Sequence, residues 1–320
     1  MRGSTGHVGV LDVGCFSARL IVVDRTRSSP LTPSLERKAR LRLDRAYDAT
    51  GGLTRDGIDQ IVRAIGDVLR VMPQDIELVA YATSSIRDAT NADQAIRHIA
   101  RQTGVDLMTF TGEREAHLSY VAARHWFGHA AGPLTVLDVG GGTAEIAAGC
   151  GTRPHAAISL PFGARTLTQA NDDNPLSLAE IRARTVDDVR IALSGTDVSG
   201  TAIGCSKVLQ QLARLAGARP QREGPYVARH LRLTDLRKWI PRLANLTAAE
   251  RAELPGISRH RARQSLAGAV VAEALLAATG HESAQICPWS STTGLLIELL
   301  AHDDIGVPLS SLRDRRRFAS

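Results

Sequence analysis

Aromatic side chains make up only 4% of the 320 residues, so any core has to be aliphatic, and the 43% hydrophobic content is ample for one. Cysteine occurs four times, at Cys15, Cys150, Cys205 and Cys287, widely spaced and without a Cys-x-x-Cys pair. Neither a disulfide framework nor a zinc site is suggested, and a reducing cytoplasm fits. The first residues, MRGSTGHVGV, pass from a short polar stretch into a strand without the apolar core of a signal peptide. No run approaches the roughly 20 apolar residues of a membrane span. Lysine is nearly absent, at Lys38, Lys207 and Lys238 only, so almost all of the 39 basic residues are arginine, and the net charge is +6. Arginine's planar fork matches phosphate oxygens, which favours a phosphorylated, polyanionic ligand over a neutral one.

What is present is a repeat. Val-Leu-Asp-Val-Gly occurs at Val10 to Gly14 and again at Val136 to Gly140. In each copy an apolar strand runs into Asp-x-Gly, small residues turn, and a second apolar strand leaves, at Arg19 to Val23 and at Glu145 to Gly149. Each copy therefore reads as a hairpin with a carboxylate at its tip. After the second copy comes Gly140 to Glu145, GGGTAE. Three consecutive glycines let backbone N–H groups approach an anion with no Cβ in the way. Asp138 and Glu145 flank that turn, and hard oxygen ligands beside phosphate are what Mg²⁺ requires.

Around the hairpins the chain alternates strands and helices. Ala39, Leu41 and Leu43 alternate with charged residues as in a half-buried strand. Thr54 caps a helix over Asp56 to Val71, which Pro73 ends. Ile76 to Ser84 is a buried strand, Asn91 to Gln102 a helix, LMTFTG a strand, and Gly112 opens the helix EREAHLSYVAARHW. Gly128 to Pro133 reads as a linker. Beyond the second hairpin lie helices near Leu178 to Leu193, Val208 to Ala216, Thr234 to Leu243 and Thr247 to Leu254. SRHRARQSLAGAVVAEALLAATG reads as one long buried helix, AQICPW as a last strand and TTGLLIELLAHD as a last helix. The expected fold is α/β and duplicated. Its domains are expected at 1–127, completed by a last helix at about 292–303, and at 128–303, with a basic tail at 304–320.

DVGGGTAEI, SSIRDATN, TGEREAHLSY, SLPFGARTLT and CPWSSTTGLL, in this order, resemble the motif set of the Ppx/GppA phosphatases, over about residues 8 to 300. These are exopolyphosphatases and guanosine pentaphosphate phosphohydrolases. The resemblance implies two RNase H-like domains, of the actin, sugar-kinase and heat-shock ATPase type, with a cleft between them that takes phosphate. It implies Mg²⁺ or another divalent cation, held at Asp12 and Asp138 with Glu145 assisting. Gly14, Ser17, Gly140, Gly141, Gly142 and Thr143 are the implied phosphate contacts, joined by Gly204, Ser206 and Lys207 of the GCSK loop. Arg87 would clamp a phosphate oxygen, although an ion pair with Asp88 is the competing reading. Cleaving a phosphoanhydride needs a base that orients water in line with the leaving group. Glu113 and Glu115, both in a helix's first turn, have equal local credentials for this; position in the motif selects Glu115.

The chain departs from the family pattern in places. The first loop reads Asp12-Val13-Gly14-Cys15-Phe16-Ser17 where Asp-x-Gly-Ser-Asn-Ser is usual, which removes a hydroxyl and an amide. The usual arginine before the final glycine is replaced around Thr292-Thr293-Gly294, and a late Arg-Ala-Asp appears as Arg261-Ala262-Arg263. His125 and His129 lack a third metal ligand. His302-Asp303 has too little chain after it for a further HD-type domain. The cluster Arg259, His260, Arg261 and Arg263 reads equally as a polyanion guide or as a wet helix face.

The function this implies is Mg²⁺-dependent removal of terminal orthophosphate from inorganic polyphosphate, in the cytoplasm. The alternatives are a guanosine pentaphosphate phosphohydrolase of the stringent response and a weakly active or non-catalytic binder of polyphosphate or guanosine tetraphosphate. An actin-like or sugar-kinase ATPase is disfavoured. The implied partners are polyphosphate or guanosine pentaphosphate, with no membrane and no specific nucleic acid, and a homodimer is the candidate assembly.

Overall fold

The computed structural model describes residues 6–26, 31–72 and 76–303; the expected basic tail at 304–320, Pro73 and the side chains of His302 and Asp303 lie outside the described residues. The chain divides into two compact units. One holds the residues up to Thr109 and those from Thr292 on, and the other holds Phe110–Ser291.

In the first unit, β1 (His7–Val13) and β2 (Ser17–Asp24) form the expected hairpin, and β3 (Pro33–Arg40) extends it antiparallel. Helix α1 (Arg55–Leu69) starts at Thr54, whose side chain accepts from Gly57 N, a cap worth about 1 kcal/mol. Its Ile61, Ile65 and Val68 are buried in an aliphatic core with Leu11, Leu20, Val22 and Ile99. Strand β4 (Glu77–Ala82) runs into a one-turn helix α2 (Ser84–Arg87), followed by α3 (Ala92–Thr103) and a two-residue β5 (Met108–Thr109). The sheet order among the described residues is β3-β2-β1-β4-β5, with β1, β4 and β5 parallel.

The second unit opens with α4 (Gly112–Phe127), which packs on the three strands that follow, β6 (Leu134–Val139), β7 (Ala144–Gly149) and β8 (Ala156–Leu160). This packing corrects the expected boundary after residue 127: α4 belongs with the second sheet. It also shortens the expected LMTFTG strand, because Thr111 leaves the sheet to cap α4 and accepts from Arg114 N at 3.2 Å. Helices α5 (Ala164–Asp173) and α6 (Leu178–Ala192), strand β9 (Thr201–Gly204) and helix α7 (Lys207–Leu215) follow. Strand β10 (His230–Arg232), which carries only Leu231 as an inward residue, was not apparent from sequence. Then come α8 (Leu233–Ala244), α9 (Ala248–Ala252), α10 (Ser265–Ala278) and β11 (Ser283–Ile286). Helix α10 begins at Ser265 rather than at Ser258, because residues 258–264 form turns and a short 3-10 segment. The sheet order is β10-β11-β9-β6-β7-β8, with β6–β7–β8 antiparallel and β6, β9 and β11 parallel. Leaving aside the edge strand β10, this is the order of the first sheet, so the fold is the duplicated α/β plan. The chain closes with α11 (Ser291–Asp303).

Candidate active site

The β6–β7 hairpin sets a row of polar residues across the second sheet. Asp138 is registered opposite Glu145, and Glu145 opposite Ser159 of β8. Ser159 donates its hydroxyl to Glu145 Oε1 at 3.3 Å. On α4, Ser119 lies one turn beyond Glu115 and donates to Asp138 Oδ2 at 3.1 Å. Burial raises the Asp138 pKa to about 6, with the Ser119 hydrogen bond opposing. Glu145, 4% exposed, is pushed well above the usual carboxylate range by burial, then by the charges of Asp138 and Glu115, against hydrogen bonds from Thr143 and Ser159. Glu115 is half-buried and close enough to act on Glu145, whereas Glu113 is exposed. The helix geometry therefore separates two acids that the local sequence left equal.

The equivalent row in the first sheet has different chemistry. Asp12 is registered opposite Arg19, Arg19 opposite Lys38, and Asp12 also opposite Tyr81 of β4. A carboxylate thus faces a cation in the first hairpin and a second carboxylate in the second. Like charges opposed across a strand pair are destabilising. No cationic side chain among the described residues pairs with Asp138 or Glu145. Two hard oxygen donors with uncompensated charge fit a divalent cation that keeps several waters. Among the described residues no cluster of three or more ligating side chains is present, so the remaining ligands would be water and phosphate oxygens. Asp12 fits the same chemistry: its Oδ2 accepts from Thr292 at 3.0 Å, while Oδ1 is buried without a hydrogen-bond partner. Burial raises its pKa, against hydrogen bonds from Thr292 and Tyr81 and the charges of Arg19 and Lys38.

The glycine turn is held from behind by the start of α5. Gly140 O accepts from Ala164 N, Gly141 O from Arg165 N and Thr166 N, and Gly142 O from Thr166 Oγ1, at 2.7 to 3.2 Å. Gly163 permits this contact, since a Cβ there would meet Gly140 O at 2.7 Å and Thr143 O at 2.8 Å. With the carbonyls so engaged, the N–H groups of Gly141, Gly142 and Thr143 have no acceptor among the described residues and can serve an anion. Gly140 differs from the expectation. Its N–H closes the hairpin on Thr143 O at 2.9 Å, and Gly14 N does the same to Ser17 O at 3.0 Å. Both are turn-forming glycines whose N–H groups are already used. A pocket beside the turn is lined by Gly140, Gly141, Gln211 and Arg261, which brings one member of the late arginine cluster next to it. Arg259 pairs instead with Glu253, and Arg263 with Asp172.

The other expected residues divide. Cys15 and Phe16, read as losses from the phosphate shell, are buried in the first unit's core, and their carbonyls accept from Leu43 N and Leu41 N. Ser17 begins β2. Arg87 forms a two-point ion pair with Asp88, at 2.7 and 3.2 Å, as the competing reading held. Gly204 is small because Leu209 and Ile286 crowd it: a Cβ would lie 3.0 Å from Leu209 Cδ1. Ser206 caps α7 by accepting from Leu209 N, and Lys207 bonds Gln210 Oε1 at 3.3 Å. Burial, followed by the charge of His129, lowers the His125 pKa. Ser119, Ser159, Tyr81 and Thr292 were missed as site residues. Ser119 could have been found from its four-residue spacing from Glu115, whereas Ser159 needs the strand register and Tyr81 and Thr292 the tertiary fold.

Two like-ordered α/β sheets, each with an aspartate at the tip of a hairpin turn, one turn presenting free N–H groups beside buried acids, define a phosphate-handling class. The chain belongs to the Ppx/GppA phosphatase family, whose model matches residues 21–303. It is 39% identical over 312 residues to Exopolyphosphatase 1 of Mycobacterium tuberculosis, covering 95% of this chain and 91% of that protein. With Exopolyphosphatase 1 of Mycobacterium leprae it shares 38% over 321 residues, 97% of this chain and 95% of the other. A crystal structure of an exopolyphosphatase from Cytophaga hutchinsonii shares the fold, with a TM-score of 0.79 at 19% identity, covering 92% of this chain and 98% of the other.

Proposed function

We propose that the protein is an exopolyphosphatase that hydrolyses the terminal phosphoanhydride of inorganic polyphosphate. The observation that carries this is the placement of half-buried Glu115 against the Asp138–Glu145 pair, on the unit whose glycine turn has three unused N–H groups. Those N–H groups would hold the terminal phosphoryl oxygens, and Arg87 is the first unit's candidate phosphate contact. Glu115 would accept a proton from water as the water oxygen attacks the terminal phosphorus. The bond to the bridging oxygen breaks, its electron pair stays on the shortened chain, and orthophosphate leaves. Asp138 and Glu145 would hold the divalent cation, Mg²⁺ in this reading, through water, and Asp12 is the candidate cation ligand of the first unit. When bound, that cation supplies neutralisation of charge developing on the phosphate oxygens. The close relatives named as exopolyphosphatases support polyphosphate over other phosphoanhydrides. The reading further places the protein in the cytoplasm, and guanosine pentaphosphate of the stringent response is its competing substrate.

The test is orthophosphate release from polyphosphate, guanosine pentaphosphate and ATP, side by side, with Mg²⁺. Release from polyphosphate at a kcat/KM well above the other two is expected. Preference for guanosine pentaphosphate would reassign the substrate, and binding without release from any of them would make the protein a binder.

A further inference from the structure

Thr292 lies in the stretch Thr292-Thr293-Gly294, around which the family motif usually carries an arginine, so on sequence this stretch reads as a lost contact. Its structural setting is specific. Thr292 and Tyr81 are each 1% exposed, and Asp12 and Tyr81 are registered neighbours on β1 and β4. Tyr81 Oη lies 3.1 Å from Thr292 Oγ1, and Thr292 Oγ1 lies 3.0 Å from Asp12 Oδ2. A threonine hydroxyl has a single proton. When Asp12 is ionised that proton goes to Asp12, and the Tyr81 hydroxyl, which also acts on Asp12 as a hydrogen-bond donor, completes a buried cluster with the pair.

Thr292 engages one oxygen of Asp12 and leaves the other unused. Oδ1 is buried without a partner on the side of Gly14, where a Cβ would come no closer than 3.9 Å. Arg19, registered opposite Asp12, directs its guanidinium to Glu36 at 2.9 to 3.0 Å. An arginine in place of Thr292 would neutralise Asp12 and compete with an incoming cation, whereas a neutral hydroxyl orients the carboxyl and keeps its charge available.

We propose that Thr292, packed beside Tyr81, is a positioning residue that holds Asp12 with Oδ1 free for the hydrated divalent cation of the reaction. This rests on the exopolyphosphatase reading. Hydroxyls in such outer positions typically change metal affinity by about 10-fold or more when removed.

The experiment measures two quantities on the full chain: the Mg²⁺ concentration giving half of the maximal thermal stabilisation, and kcat and KM for polyphosphate at saturating and limiting Mg²⁺. Thr292→Val is expected to raise the Mg²⁺ midpoint about 10-fold. It should lower kcat at limiting Mg²⁺ while KM for polyphosphate changes little, and Thr292→Ser should restore both. Tyr81→Phe, which keeps the Thr292–Asp12 bond but removes the second hydroxyl of the cluster, should give a smaller shift of the same sign and serves if Thr292→Val does not fold. An unchanged Mg²⁺ midpoint in a folded Thr292→Val or Tyr81→Phe protein overturns the inference while wild-type hydrolysis stands. Wild-type protein with neither hydrolysis nor a Mg²⁺ response removes the inference together with the reading beneath it.

Discussion

Asp138 and Glu145 are registered cross-strand partners, at the position where the first hairpin pairs Asp12 with Arg19. The duplication thus carries an acid and a base in one copy and two acids in the other. Both acids of the second copy have raised pKa values, and hydroxyls rather than cations hold them. Most of the expected behaviour follows from that difference.

The first consequence is a pH dependence of stability without added cation. A carboxyl whose folded pKa is raised binds more protons folded than unfolded between the two values, so stability falls as pH rises through that window. For Asp138 the window runs from its ordinary 3.8 to about 6, and the loss is on the order of 3 kcal/mol. Glu145 adds a loss of the same sign. Urea denaturation from pH 4 to 8 should show this decline, and excess Mg²⁺ should reverse it above pH 6. Stability that is flat, or that rises over the window without cation, would count against the buried acid pair.

Gly112 and Ser159 provide a steric test. A Cβ on Gly112 would overlap Ser159 Oγ and Cβ, so either α4 or β8 must shift. Glu115 is carried by α4, and Ser159 holds Glu145. Gly112→Ala is expected to cost about 1 to 3 kcal/mol and to lower kcat more than it raises KM. Denaturation and steady-state kinetics on one preparation would check both, and an unperturbed kcat would show that the α4–β8 contact does not set the acids.

Arg87 distinguishes a phosphate clamp from a structural ion pair. If its guanidinium contacts substrate, Arg87→Ala should raise KM for polyphosphate by about 10-fold or more, the worth of one charged hydrogen bond. Asp88→Asn, which removes only the partner, should change KM less than about threefold, since exposed pairs contribute little. Equal effects of the two substitutions on KM would favour the structural role.

Much of this was legible in the sequence where chemistry is local. The Asp-x-Gly hairpins follow from strand composition and a repeated turn, α1 from its cap at Thr54, and α4 from the opening at Gly112. What needs register or tertiary packing was not legible. That Gly204 answers to Leu209 and Ile286, that Phe16 turns into the core, and that α4 joins the second unit all depend on residues far away in the chain. Likewise, Glu113 and Glu115 separate only once β7 shows which face of α4 meets Glu145.

The most direct measurement is the rate of orthophosphate release from polyphosphate by Glu115→Gln at saturating Mg²⁺, with its melting temperature recorded alongside. General-base catalysis contributes on the order of 10² to 10⁴. A fall in kcat of at least about 100-fold, with the fold intact and polyphosphate still bound, is the result expected if Glu115 activates the water. Retention of the wild-type rate would contradict it.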